Sequence, residues 1–469
     1  MRPLATVPSA YPADEIALIH GDARWTWGRL ARRAAQWRVW LEGEGATSDG
    51  LVAFALPNGP EFLALTFGIY QAGATPAPLS SKLPASERAD ILALMRPAVF
   101  VSAVPDLDAV VPSDKPSHVA ASWKACTSGG STGRPKVIVD GRPAGFAPET
   151  DFIAILARGR VIVPGPLYHN APFSAAVFAL WRGCTVVTMD RFDAEGALRL
   201  IADESVKWAM MVPTMMHRIW RLPDAVKDAL DLTAWRTVVH TAEPMPAWLK
   251  RAWIDWRGPD HVWEVYGSTE GLVRCWIGGR EWLERPQSVG KPIGGARLRI
   301  LDADGADCPT GAEGDIYAMP PGGPRSSYRY IGAVRQATAD GWESVGDIGR
   351  LDADGYLYLA DRRTDLIISG GVNVWPAEVE AALLRHPAIR SCAVVGLADA
   401  DYGEKVHAVI ECDDPAVDLA RLRAFLNDWL VKEKQPRSLA VQAAPVRDDA
   451  GKVRKSTLRS SDPANKAPA

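Results

Sequence analysis

Thr127-Ser128-Gly129-Gly130-Ser131-Thr132-Gly133-Arg134-Pro135-Lys136 follows the apolar pair Ala125-Cys126 and runs into Val137-Ile138-Val139. Three glycines, four hydroxyls and two cations stand within these ten residues. Glycines let backbone N–H groups turn toward an anion, hydroxyls add donors, and the cations supply charge. The run reads as a loop able to wrap a polyphosphate. A Walker loop ends Gly-Lys-Ser/Thr and opens a helix. Here Arg134-Pro135 intervenes before Lys136 and a β-branched run follows, so the loop is expected to join two strands.

Outward from this loop, short apolar runs alternate with longer amphipathic ones. Before it, strands are expected over 51–55 and 98–102 with a helix over 60–71. After it, strands are expected over 161–163, 185–188, 208–212, 237–240 and 262–265. Helices over 171–181, 194–203, 214–221 and 247–256 separate them. Such alternation implies parallel sheet covered on both faces, with ligands at the carboxyl ends of the strands. Beyond Gly290 the texture changes to short strands and turns, as in a small β-barrel or antiparallel sheet. A third texture from about Asp361 onward predicts a compact α+β unit.

The fold class is therefore α/β. A large N-terminal domain over 1–361 holds two parallel-sheet subdomains and the small β-barrel. A hinge over 362–366 leads to a small mobile α+β domain over 367–460, and a Pro/Ala/Lys-rich tail, 461–469, is expected to be disordered.

Length and composition bound the class. The chain has 469 residues, 47% of them apolar and 23% charged, the balance of a multidomain globular enzyme. A net charge of −3 forces no basic face and argues against nucleic acid as partner. No apolar run approaches the ~20 residues of a membrane span. The six cysteines are scattered with no Cys-x-x-Cys pair, as expected of reduced cytosolic thiols. Eighteen tryptophans point first to packing, with some free to wall an apolar pocket.

Further motifs follow the glycine loop in order: Leu167-Tyr-His-Asn170, Tyr266-Gly-Ser-Thr-Glu270, Gly341-Trp-Glu-Ser-Val-Gly-Asp347, Asp361-Arg362 with Ser369-Gly-Gly-Val-Asn373, and Gly451-Lys452. With these motifs in this order, the chain resembles the adenylate-forming superfamily of acyl-CoA synthetases, nonribosomal adenylation domains and luciferases over nearly its whole length. The resemblance implies ATP, Mg²⁺ and CoA. It places Thr127 to Gly133 and Lys136 on the phosphates, Tyr266 and Gly267 at the adenine, and Thr269 on phosphate. Glu270 falls to Mg²⁺, for which a carboxylate oxygen is a suitable hard ligand. Asp347 is assigned to the ribose, and Arg362 to a second ribose or phosphate contact. Lys452 is the lysine of adenylate formation, His169 the gate toward the thiol, Gly370 and Gly371 the pantetheine path, and Thr364 the hinge. Lys452, His169, Thr269 and Glu270 make up the catalytic set.

By the same resemblance, Ala242 and Glu243 lie along the adenine face, and Phe173, Met215, Met216, His240 and Trp263 line the acyl pocket. Gly165-Pro-Leu-Tyr-His-Asn-Ala-Pro172 and Gly278-Gly-Arg-Glu-Trp282 look like segments of bile-acid and steroid-acid CoA ligases. A bulky hydrophobic carboxylic acid, terpenoid- or steroid-like, is the expected acyl partner, and the class leaves room for a homodimer. Thr241 and Glu243 depart from the small-residue turn usual in the family, and a carboxylate near nucleotide phosphates repels them. Three other readings therefore stay open beside the full ligase. They are transfer to CoA from a supplied acyl-adenylate alone, loading of a carrier protein, and a non-catalytic nucleotide- or acyl-binding protein.

Overall fold

The expected alternation forms the middle of one long sheet. A computed structural model describes residues 1–112, 118–129, 135–148, 150, 155, 158–324, 327–362, 365–414, 416–448, 451–453 and 455–460. Strands Ile16–His20, Thr185–Thr188, Arg160–Val163, Trp208–Met211, Thr237–Thr241 and Val262–Gly267 lie side by side in that order and pair in parallel. Helices Asn170–Trp181, Ala194–Asp203, Pro213–Trp220 and Ala247–Arg257 connect them, within a residue or two of the expected bounds. Asp193 fixes one start by accepting from the Gly196 N–H at 2.6 Å, and Pro213 fixes another by its preset φ. A smaller parallel sheet, Thr75–Pro78, Leu51–Phe54 and Val99–Val101, is the second expected parallel unit.

After Gly290 the antiparallel alternative is the one adopted. Arg297–Leu301, Gly314–Met319, Glu343–Leu351, Leu357–Arg362 and Ser288–Pro292 form an antiparallel run. Ser288–Pro292 then pairs with Arg274–Gly278, so the run continues the large sheet to thirteen strands. The glycine loop does join two strands: Ala125–Gly129 and Pro135–Asp140 pair antiparallel, with Ser128 opposite Lys136 and Gly129 opposite Pro135. Its tip, Gly130, Ser131, Thr132 and Gly133, lies outside the described residues, as do Thr364 and the tail 461–469.

A separate sheet and core begin at Ile367. Ser391–Asp399 and Gly403–Glu411 pair over nine residues, flanked by Ile367–Ser369, Val372–Val374 and Ser438–Gln442. Helices Pro376–Leu383 and Leu419–Leu426 bring Val379, Leu383, Leu422 and Leu426 onto this sheet, all fully buried. Polar links join this unit to the N-terminal part. Arg221 donates to the carbonyls of Pro387 and Ile389, and the Trp248 indole N–H donates to the Ala381 carbonyl at 3.2 Å.

Most tryptophans serve packing, as expected. Trp27, Trp37, Trp235 and Trp253 are fully buried, and Trp235, Trp253 and Trp256 meet edge to face. No described helix is long and apolar enough to cross a membrane.

Candidate active site

Six parallel strands of one direction put their carboxyl ends on one side, and four segments carrying candidate residues begin there. Residues 165–170 follow the strand ending at Val163, and Pro213 to Met216 follow Met211. Glu243 lies just beyond Thr241, and Thr269 and Glu270 just beyond Gly267. The register of the sheet thus gathers residues that are up to a hundred positions apart.

Two polar clusters form in this region. In the first, Glu270 Oε1 accepts from Lys136 Nζ at 3.1 Å and from the Tyr330 hydroxyl at 2.6 Å. Lys136 also donates to Tyr330 at 3.1 Å and sits over its ring. Burial, the largest single influence, pushes the Glu270 carboxyl up. The Tyr330 hydroxyl and the Lys136 ammonium outweigh it and hold the group below its usual range, so it is ionised at neutral pH.

In the second cluster the Tyr266 hydroxyl donates to Asp347 Oδ2 at 2.7 Å, and Asp347 is the strand partner of Arg362. Gly267 is exposed and pairs with Arg274, and Thr269 is partly buried one residue before Glu270. Thr127 is partly buried on the first strand of the glycine hairpin.

His169 caps the helix Asn170–Trp181 in extended conformation and lies ring to ring with Tyr168 at 4.3 Å. Burial, then the Lys452 charge, push its imidazole down to about 3, so it is neutral at working pH. Its Nε2 is 3.9 Å from Asp448 Oδ2, too long for a hydrogen bond. Asp448 heads the turn that carries Lys452: Asp448 N donates to the Lys452 carbonyl at 3.0 Å, and Lys452 N donates to Asp448 Oδ1 at 2.8 Å. The Lys452 turn is therefore seated beside His169. Gly370 and Gly371 are exposed at positive φ on the Ile367–Val374 hairpin. Gly370 N donates to the Tyr402 carbonyl, and a Cβ at Gly371 would meet open space.

The expected acyl-pocket residues divide. The Met215 methyl comes within 3.5 Å of where a Cβ on Gly165 would lie, and Trp263 packs on Trp276 at 4.7 Å. Met216 is fully buried in the core beneath the helix Pro213–Trp220. Phe173 is fully buried between Phe62 and Trp123, inside the packed core. His240 is also fully buried, 3.7 Å from Glu264, which Lys250 salt-bridges. Burial and the Lys250 charge push the His240 imidazole well below its usual value, so it is neutral. Ala242 holds a left-handed φ of 76°, unusual outside glycine.

Several participants have no motif to announce them. Tyr330 lies 194 positions from Lys136. The buried Lys124 donates to Asn170 Oδ1 and to the Ser174 hydroxyl, which fixes the first turn of the helix behind His169. Asn58 accepts from Leu167 N at 2.9 Å and donates to the Gly165 carbonyl, steadying the same segment.

An ionised carboxylate beside a glycine hairpin, a tyrosine–aspartate pair and a lysine turn from the C-terminal unit thus meet in one region. The family model for AMP-binding enzymes matches residues 4–125 and 124–323, and that for the AMP-binding enzyme C-terminal domain matches 378–450. The chain belongs to this family, the adenylate-forming superfamily, in its acyl-CoA synthetase branch. It is 30% identical to a feruloyl-CoA synthase of Amycolatopsis over 94% of this chain and 95% of the relative. It is 30% identical to a 2-succinylbenzoate–CoA ligase of Bacillus licheniformis over 91% and 92%. Among solved folds, o-succinylbenzoate CoA synthetase of Bacillus subtilis, in complex with its acyl-adenylate intermediate, superposes with a TM-score of 0.81 at 24% identity, covering 98% of both chains.

Proposed function

We propose that this chain is an acyl-CoA ligase that activates a bulky hydrophobic carboxylic acid as its acyl-adenylate and transfers the acyl group to CoA. The observation that carries the reading is the seating of the Lys452 turn beside His169, on the same side of the sheet as the Glu270–Lys136–Tyr330 cluster. A carboxylate is a poor electrophile because its leaving group would be an oxide. Attack by the carboxylate oxygen on the α-phosphorus of ATP makes the mixed anhydride and releases pyrophosphate. A thiol then attacks the acyl carbon and AMP departs.

The protein supplies position and charge. Lys452 neutralises the carboxylate and α-phosphate as they approach, with Lys136 and the glycine loop on the departing phosphates. Asp347, Tyr266 and Arg362 hold the nucleoside. Glu270, held ionised, suits Mg²⁺, and no described group of three or more acidic, His or Cys residues offers a protein-only metal site. A magnesium ion is usually completed by substrate phosphates and would supply charge neutralisation there. Neutral His169 gates the passage without adding charge. With the chain divided at 362–366, rotation of the domain 367–460 would exchange Lys452 for the Gly370-Gly371 face between the half-reactions.

For the acid, the apolar Met215 and Trp263 and the Gly165–Pro172 segment support a terpenoid- or steroid-like carboxylate. A ring-bearing aryl acid is the second reading, favoured by the feruloyl-CoA synthase relative and by an indoleacetate–CoA ligase of Aromatoleum aromaticum at 29% identity. Incubation of terpenoid, steroid, aryl and straight-chain acids with ATP and CoA, read by mass spectrometry, tests both. Turnover confined to straight-chain acids overturns them, and no thioester with any acid overturns the ligase.

A further inference from the structure

Glu243 stands where the family turn carries a small residue, and its contacts show what it does instead. Its Oε2 accepts from the Thr214 hydroxyl at 2.8 Å, and its Oε1 is buried with no hydrogen-bond partner among the described residues. The residue that covers it comes from the other domain. A Cβ built on Gly451 would fall on the Glu243 carboxyl, so with any larger residue here the carboxyl or the turn has to shift.

Gly451 is held at φ +75°, and its N–H donates to the Asp448 carbonyl at 2.9 Å. Arg447 braces the turn from behind, donating to the Gly451 carbonyl at 2.9 Å, to Glu380 Oε2 at 2.6 Å and to the Cys392 carbonyl at 3.0 Å. The charged groups that act on Glu243 are Arg447, which attracts it, and Glu380 and Asp448, which repel it. Gly451 precedes Lys452 directly, so whatever seats the glycine also sets the lysine.

We propose that Glu243 is a positioning residue for adenylate formation: its side chain is the seat on which Gly451 docks, holding the Lys452 turn against the N-terminal domain. This rests on the ligase reading above. It implies that the two positions share one volume, a large residue on one domain matched to the absence of a side chain on the other.

The test is a size exchange measured on both half-reactions of the full chain, adenylate formation by pyrophosphate exchange and thioester formation from synthetic acyl-adenylate. At pH 6.5, Glu243→Ala removes the seat and is expected to slow adenylate formation about tenfold with thioester formation unchanged. Glu243→Gln, which keeps the shape and stays neutral, should be no slower than the parent. Gly451→Ala forces the turn off the carboxyl and should slow adenylate formation at least a hundredfold. In the double variant Gly451→Ala/Glu243→Ala the new methyl enters the vacated space, and at least tenfold of that loss should return. The remainder reflects the positive φ.

Thioester formation reports folding in every variant. The proposal is overturned if the double variant is no faster than Gly451→Ala, or if Glu243→Ala slows both half-reactions equally. A parent chain lacking both half-reactions overturns the ligase reading itself, an outcome distinct from either of these.

Discussion

Docking of the Lys452 turn should depend on pH through Glu243. Burial, the largest influence, pushes its carboxyl up from 4.5 to about 7, with Arg447 and the Thr214 hydroxyl opposing and Glu380 and Asp448 reinforcing. If rotation of the C-terminal domain uncovers the carboxyl, its affinity for the proton falls back toward the ordinary value. At ~1.36 kcal/mol per pKa unit, the difference corresponds to at most about 3 kcal/mol of docking free energy. The residue as a whole is only partly covered, so solvent screening makes this a ceiling.

The sign follows from linkage. A carboxyl with its pKa raised in the docked state contributes fully below 4.5, and its contribution is lost as pH rises through about 7. Pyrophosphate exchange measured from pH 5.5 to 9 should therefore fall up to about pH 7 and level off above it. The fall should reach about ten- to thirtyfold, on the order of 1.4–2 kcal/mol. Glu243→Gln, permanently neutral, should lack this step while sharing every titration that belongs to the nucleotide. His169, pushed down to about 3, adds nothing in this range. Superimposable profiles for the parent and Glu243→Gln would show that the Glu243 charge does not govern docking.

Lys452→Ala should slow adenylate formation by roughly two to three orders of magnitude, the size seen when one donor to a transition-state anion is removed, and leave thioester formation from synthetic adenylate nearly intact. Equal loss of both would show that one domain orientation serves both steps. Gly371→Leu should give the opposite signature, because its side chain would fill open space on the face assigned to pantetheine. Unchanged CoA turnover would remove that face from the thiol path. Tyr330→Phe deletes the 2.6 Å donor to Glu270, a charge-assisted bond of about 1.5–3 kcal/mol. The acid limb of pyrophosphate exchange should then move to higher pH, since Glu270 is less well held ionised. An unmoved limb would show that Lys136 alone sets its charge.

The strand–helix alternation was legible because the buried parallel strands are short apolar runs, β-branched in Arg160–Val163 and Thr185–Thr188, set apart by stretches long enough for a helix. The motif residues were legible because they cluster at strand ends, where local spacing survives in the sequence. The partners that tune them were not. Tyr330 reaches Glu270, and Arg447 reaches Gly451 and Glu380, only after the sheet and the second domain have formed. Neither Tyr328-Arg-Tyr330 nor an isolated arginine carries a local signal of that contact. Phe173 shows a different limit. The helix Asn170–Trp181 is buried on nearly every side, so its apolar residues give no periodicity to separate those facing a pocket from those facing Phe62 and Trp123. Glu243 was visible as an anomaly in the family turn, but its direction was fixed by a glycine more than two hundred residues later.

The links from Arg221 and Trp248 to the carbonyls of Pro387, Ile389 and Ala381 bear on how easily such a domain could let go. Each is a side-chain donor resting on main-chain oxygen near the surface, and none interlocks large apolar side chains across the boundary. When the unit turns away, water can take over both the donor and the acceptor of each link. Trp248 would meanwhile trade a peptide oxygen and the nearby Arg385 guanidinium for solvent, and its emission should shift with each turnover. If the unit rotates between the two half-reactions, the joint would carry its own optical readout.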